Sequence, residues 1–254
     1  MGQHPDFDHR TCLTVKTVLA SIVLVVVASW IYLLAGAGMP QMDMGGGKVM
    51  LMAPPSWSFS YAAIIFAMWT IMMVAMMIPS AAPTILRIAS RAEGVATAAF
   101  FTAGYLIVWT GFSAVATTLQ WAFDSAHLLS DSMAIRSEIA ASFIVIGAGL
   151  YQLSATKKHC LRRCCSAHLL ADDQVRSPSA GVRAGVTYGI SCLGCCWALM
   201  CLLFVVGVMN FLGIAVIAMW VLAEKTLASG VRVAQAAAVG LIGWGSVTLA
   251  LAIR

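Results

Sequence analysis

The chain reads as an all-α, polytopic transmembrane helical bundle of about seven helices (six if one short segment fails to cross) with its N-terminus in the cytoplasm. Three observations predict this. Of the 254 residues, 61% are hydrophobic and 10% charged, against about half and about a quarter in soluble domains. The apolar residues form long continuous runs, unlike the short alternating segments of a membrane β-barrel. The basic residues collect in alternate loops, as the positive-inside rule requires. Crossing a hydrocarbon core of roughly 30 Å takes about 20 helical residues, so residues 1–254 make a single integral membrane domain with no room for a soluble catalytic one.

The uncharged runs fall at 17–36, 58–78, 95–121, 139–155, 184–209, 211–223 and 233–253. The first follows Arg10 and Lys16, and Ala35-Gly36-Ala37 after it resembles a signal-peptide cleavage site. Its length exceeds the roughly 7–15 apolar residues of a signal-peptide core, which favours an uncleaved anchor. The second run is expected to end near the cytoplasm at Pro79 and Pro83, because proline cannot continue the hydrogen-bond ladder.

Ala184 to Ala223 contains no Lys, Arg, Asp or Glu, and as one helix it would extend about 60 Å, twice the hydrocarbon thickness. A hairpin near Gly207-Val-Met-Asn210-Phe-Leu-Gly213 divides it, leaving 211–223 short for a span. Glu224 and Lys225 then close the sixth helix, with Lys225 placed to snorkel and Glu224 to pair with Lys225 or Arg232 at the inner surface. With this topology twelve of the 15 Lys and Arg residues lie inside, and Lys48, Arg136 and Arg254 lie outside. The pI near 8.9 reflects these short juxtamembrane loops and not a nucleic-acid surface.

Two loops differ from the rest. The outer loop, 37–57, is rich in Met and Gly, with Met39, Met42, Met44, Met50 and Met52 around Gly45-Gly46-Gly47. The inner loop, 155–183, is basic and carries His159, Cys160, Cys164, Cys165 and His168 beside Lys157, Lys158, Arg162 and Arg163. Neither has enough apolar residues to fold alone. Positive neighbours favour the thiolate of Cys160 and Cys164, the form that binds metal. The same basic residues also suit anchoring against anionic lipid, with incidental cysteines.

Sulfur is concentrated elsewhere too. Ten of the 15 methionines fall between Met39 and Met77, and Met68, Met72 and Met76 share one stripe of the second helix. In the fifth, Cys192-Leu-Gly194-Cys195-Cys196-Trp197-Ala-Leu-Met200 places Cys192, Cys195, Cys196 and Met200 on one face, with Cys201 directed elsewhere. Thiolates and thioethers converging in a dry environment suit a soft ion such as Cu(I), and suit hard ions poorly. The candidate metal ligands are therefore Cys192, Cys195, Cys196, Met200, Cys160, Cys164, Met72 and Met76. Adjacent Cys195 and Cys196 cannot both aim directly at one point, so a site takes Cys192 with Cys196, or Cys195 with a partner from another helix. The competing reading is structural: Met is a flexible packer, and Cys a small hydrophobe that lets helices approach. No cysteine lies in an outer loop, which opposes a disulfide framework.

These residues together resemble a bacterial family of predicted metal-binding integral membrane proteins, catalogued as a domain of unknown function. The resemblance runs from the second helix onward through Met76-Met77-Ile-Pro79, Tyr105 with Trp109, Gly149-Leu-Tyr151-Gln152, Lys157-x-x-Cys160-Leu-x-x-Cys164, Gly189-Ile-Ser-Cys192-Leu-Gly194-Cys195-Cys196-Trp197, Gly207-x-Met209-Asn210 and Glu224-Lys225. The cysteine-rich segment is its specific part. It implies a multi-pass inner-membrane protein that binds a metal through Cys160, Cys164, Cys192, Cys195 and Cys196. The sequence departs from that pattern at Ser154-Ala155-Thr156, and at Cys165 where the family has arginine.

No phosphate-cradling loop and no assembled Ser-His-Asp or paired-carboxylate set is present, so ATP hydrolysis is not expected and an enzymatic role is disfavoured. The leading expectation is copper transport, homeostasis or delivery through Cys and Met, with membrane lipid and a cuproenzyme or copper chaperone as partners and no nucleic acid. The alternatives are a membrane thiol redox protein and a non-catalytic helical subunit or scaffold.

Overall fold

A computed structural model describes residues 5–36, 41–43, 49–51, 57–90, 94–130, 133–165, 177–227 and 230–254. Nine helices are seen among these residues: α1 (Pro5–Leu34), α2 (Phe59–Ala89), α3 (Gly94–Ser125), α4 (Glu138–Leu153), α5 (Ala155–Cys165), α6 (Pro178–Cys201), the single turn α7 (Leu203–Val206), α8 (Phe211–Thr226) and α9 (Gly230–Ala252). The seven long ones coincide with the seven apolar runs. A backbone ribbon, β1 (Gln41–Asp43) with β2 (Val49–Leu51), lies in the outer loop, antiparallel with Met42 opposite Met50. Met39, Met44, Met52 and His168 lie outside the described residues.

Five helices are long and apolar enough to cross a membrane, and six if α4 and α5, bent by 64° at Ser154, make one broken span. At 16 residues α8 falls short. Its direction is nonetheless that of a crossing segment. Asn210 N-caps α8, its side chain accepting from Gly213 N at 3.1 Å, and the chain returns along α6 until Lys225 reaches Cys192. The predicted hairpin is present, with Gly207 at φ 99°, a left-handed value that glycine adopts without strain.

Glycine also decides how α3 meets α6. Gly181, Gly185 and Gly189 recur at every fourth position of α6 and face Phe101 and Tyr105 of α3, while Gly104 of α3 faces Val182. A Cβ on Gly185 would collide with the Phe101 carbonyl oxygen, and one on Gly104 with that of Val182. The two backbones thus approach as closely as small residues permit in a bundle where association depends on packing. Gly185→Ala is expected to destabilise the protein by about 1–3 kcal/mol, read as a lowered thermal midpoint in detergent; an unchanged midpoint would refute the close approach.

The pairings give the helix directions. Residues increase together along α3 and α6, so these are parallel. Trp69 meets Gln120 while Met77 meets Tyr105, so α2 and α3 are antiparallel. Gly149 packs on Ala238 and Ile242, and Gly245 on Ser142 and Ile146, so α4 and α9 are antiparallel too. Successive crossings of a bilayer produce this order.

Two expectations fail here. Pro79 and Pro83 do not end α2, which continues to Ala89. A membrane helix tolerates proline in its interior. Nearby, Ser80 Oγ donates to Met77 O at 2.8 Å and Tyr105 Oη to the same oxygen at 3.2 Å, while the carbonyls that lose an N–H partner to proline are those of Ala75 and Pro79. The inner loop, in turn, is not without structure. Its first part is α5, whose Leu161 and Cys164 are buried and whose packing partner is chiefly α6.

Candidate metal site

The cysteine face of α6 is turned inward along its whole length. Cys192, Cys195, Cys196 and Met200 are each at most 1% exposed. On a helix, positions i+3 and i+4 both flank position i, and both Cys195 Sγ (3.1 Å) and Cys196 Sγ (2.9 Å) donate to the Cys192 carbonyl. Both thiols thus gather around one carbonyl.

The fourth thiol comes from α5. Cys164 is buried and lies within electrostatic range of Cys192 and Cys195. Cys160, one turn earlier on α5, lies outside this quartet and is only partly buried. A Cβ on Gly194 would stand 2.8 Å from its Sγ, so the glycine makes the space in which that thiol rests against α6. Tyr151 of α4 donates to the Gly194 carbonyl and stacks edge-on against Trp197. All the cysteines with described side chains are free thiols.

Two charged residues that follow each other in sequence hold the site from opposite sides. Lys225 does not snorkel outward. Its Nζ donates to Cys192 Sγ at 2.8 Å and to Ser80 Oγ at 3.1 Å. Tyr105 Oη stands 3.1 Å from the same sulfur. Cys192 is thereby surrounded by α2, α3, α5 and α8 as well as its own helix.

Glu224, expected to pair with Lys225 or Arg232 at the inner surface, is held by Lys157 of α5 at 2.6 Å, both side chains buried. Its other oxygen accepts from Gln152 Nε2 (2.9 Å) and Trp220 Nε1 (3.0 Å). The reason is dielectric: a carboxylate inside the bundle must find donors there, since water cannot supply them. Gln152 Oε1 stays without a partner among the described residues, so the network is not saturated.

The methionine stripe adjoins the thiols. Met68, Met72, Met73, Met76 and Met77 are all buried. At one end of the stripe Trp69 lies against Phe204 of α7 with centroids 5.2 Å apart; at the other, Lys225 of α8 joins Ser80 to Cys192. Further toward the Trp69 end, Gln120 Nε2 donates to the thioether of Met133 at 3.0 Å while its carbonyl accepts from Trp69 Nε1 at 2.6 Å.

The thiols of Cys160, Cys164, Cys192, Cys195 and Cys196 fall where α5 packs on α6, and Met72, Met76 and Met200 are buried in the same bundle. They do not form a preformed cage. Among the described residues no three His, Cys, Asp or Glu side chains are posed to hold a metal ion. Sequence reasoning missed Lys225, Ser80 and Tyr105 as neighbours of Cys192. A lysine ending an otherwise apolar run was the one available signal, and it reads equally well as a snorkelling residue.

Residues 66–248 match the family PpoB2, described as copper chaperone. The chain belongs to that family. The matched segment runs from α2 into α9, taking in the α5 thiols, the quartet, the helical methionines and both charged residues of α8. The outer-loop methionines precede it. Membership of the PpoB2 family gives the protein a copper-related role. No curated protein and no solved structure matches the chain.

Proposed function

We propose that this PpoB2-family protein is a multi-pass protein of the bacterial inner membrane that holds Cu(I) transiently between sulfur donors and passes it to a partner, a cuproenzyme or a second copper carrier. The observation that carries this reading is the burial of Cys164 on α5 together with Cys192, Cys195 and Cys196 on the α6 helix it packs against. Thiols from two helices, far apart in sequence, gather in one dry place.

Cargo must be released as well as bound, and transfer works best through several modest sites in succession. The described geometry suits that requirement. The quartet offers pairs of thiols in place of a closed cage, and Cu(I) accepts two sulfur ligands. Met200, Met72 and Met76 continue the donor series along α2 and α6 as weaker, neutral ligands. Cys160, partly exposed at the edge of the quartet, is the thiol placed to exchange the ion with a partner. The basic ends of α2, α5 and α8 face the cytoplasm in this reading.

The test is Cu(I) binding by the detergent-purified, reduced protein, with metal content and sulfur coordination read by elemental analysis and X-ray absorption. Absence of copper would end the reading. Copper flux into proteoliposomes then separates movement across the membrane from delivery. Met72→Leu/Met76→Leu is expected to slow flux several-fold if the stripe conducts, and to leave binding at the quartet intact.

A further inference from the structure

We infer that Met133 is a further soft-metal ligand, the thioether that receives Cu(I) at the end of the bundle opposite the thiols and ahead of the methionines of α2. This rests on the reading of the thiols as a Cu(I) site, and it adds a donor from a loop that no helical stripe contains.

The backbone holds Met133 in a conformation that its side chain disfavours. Its φ is 57°, in the left-handed region that residues other than Gly, Asn and Asp rarely enter. Three hydrogen bonds of 2.8 Å fix the turn: Met133 N to Ser130 O, Ser130 N to Ala134 O, and Ile135 N to Phe204 O of α7. The outcome is a loop methionine only 9% exposed. Residues held in such a region persist where their surroundings over-determine them, and they cluster at ligand sites.

The sulfur meets a polar group there. Gln120 Nε2 donates to Met133 Sδ at 3.0 Å. The amide is fixed in that orientation, because its oxygen accepts at 2.6 Å from Trp69 Nε1, a group that only donates. A methionine that served packing alone would need no buried glutamine, and leucine in its place would leave that N–H without an acceptor. The N–H takes one lone pair of the thioether and leaves the other for a soft cation.

Position completes the case. Gln120 stands about 22 Å along α3 from Tyr105, which touches Cys192. One turn further out, Asp124 accepts from Trp57 Nε1 at 2.6 Å, so the end of the methionine-rich outer loop is tied to the face of α3 that carries Gln120. On the inner side Met68 and Met72 flank Trp69 on α2, both buried. Met133 thus lies between the end of the outer loop and the helical methionines.

The experiment titrates Ag(I), as the redox-inert probe, into the full-length reduced protein in detergent. Conversion of each methionine to its sulfoxide by peroxide is followed by peptide mass spectrometry. Silver is expected to slow oxidation of Met133 several-fold. Met219, 64% exposed on α8, is the control and is expected to oxidise equally fast with and without the metal. Met133→Leu and Met133→Gln are each expected to lose the weaker bound silver and to keep that held by the thiols. Glutamine preserves an acceptor for Gln120, so a role confined to the hydrogen bond would survive that change. Oxidation of Met133 that ignores silver overturns the inference, and so does a Met133→Gln protein that still holds the weaker silver; both results leave the thiol reading intact. Failure of silver to protect Cys192 and Cys195 from alkylation overturns that reading and this inference together.

Discussion

Copper bound by the purified protein is expected to fall by more than about 100-fold in affinity when Cys192 and Cys196 are both replaced by serine. Loss of a merely supporting group costs about 10–100-fold in metal affinity, and these two are donors in the proposed site. Serine keeps the volume and the hydrogen bond to the Cys192 carbonyl, which both Cys195 and Cys196 now make, so the fold should survive with its thermal midpoint nearly unchanged. Cys164→Ser is expected to weaken binding as well, because its thiol is the contribution of the second helix. Cys201→Ser should leave binding untouched. A titration with a Cu(I)-specific competitor on the three variants checks the pattern. Equal losses across all three would mean that the effect is general destabilisation, and no loss in any would mean that the thiols only pack.

The second large effect concerns stability. Lys157→Ala is expected to cost about 3–5 kcal/mol, the range found when one member of a buried pair is removed and the other charge remains. Glu224 is 1% exposed, and its surviving donors, Gln152 and Trp220, are neutral. Lys157→Met with Glu224→Gln should recover most of the loss, since replacing both charges removes the desolvation penalty together with the attraction. Because Lys157 ties α5 to α8, the single variant should also expose Cys160 and Cys164 to faster alkylation. Thermal unfolding with mass-spectrometric thiol labelling measures both. A Lys157→Ala protein with normal stability and normal labelling would mean that α5 is held by its contact with α6 alone.

The helices were legible because the bilayer leaves the backbone few choices. In hydrocarbon every N–H and C=O must be satisfied within the segment, so the apolar runs marked seven helices, with ends mostly within a few residues of those observed. The hairpin at 207–210 followed from length alone. Proline misled at residues 79 and 83, since a membrane helix tolerates proline in its interior and α2 runs on to Ala89. Cys192, Cys195, Cys196 and Met200 shared a face by helical periodicity, and all four are buried.

Periodicity shows which residues share a face and not what lies opposite. Cys164 reaches the quartet only because the chain bends by 64° at Ser154 and lays α5 across α6. A bend of that kind depends on what the next helix docks against, and no local pattern announces it. The partners of Glu224 and Lys225 were likewise misread, because the nearest opposite charge in sequence is the natural guess where water is present.

By itself the sequence determined that this chain is a bundle of long apolar helices, where most of those helices lie, and that Cys192, Cys195, Cys196 and Met200 share one face. These properties depend on hydrophobic runs and a repeat of 3.6 residues, both local. Only the tertiary structure decided that Lys157 answers Glu224 across 67 positions and that Lys225 answers Cys192 across 33. Those pairings come from charges seeking the strongest partner in a low-dielectric interior, a competition among all the helices at once.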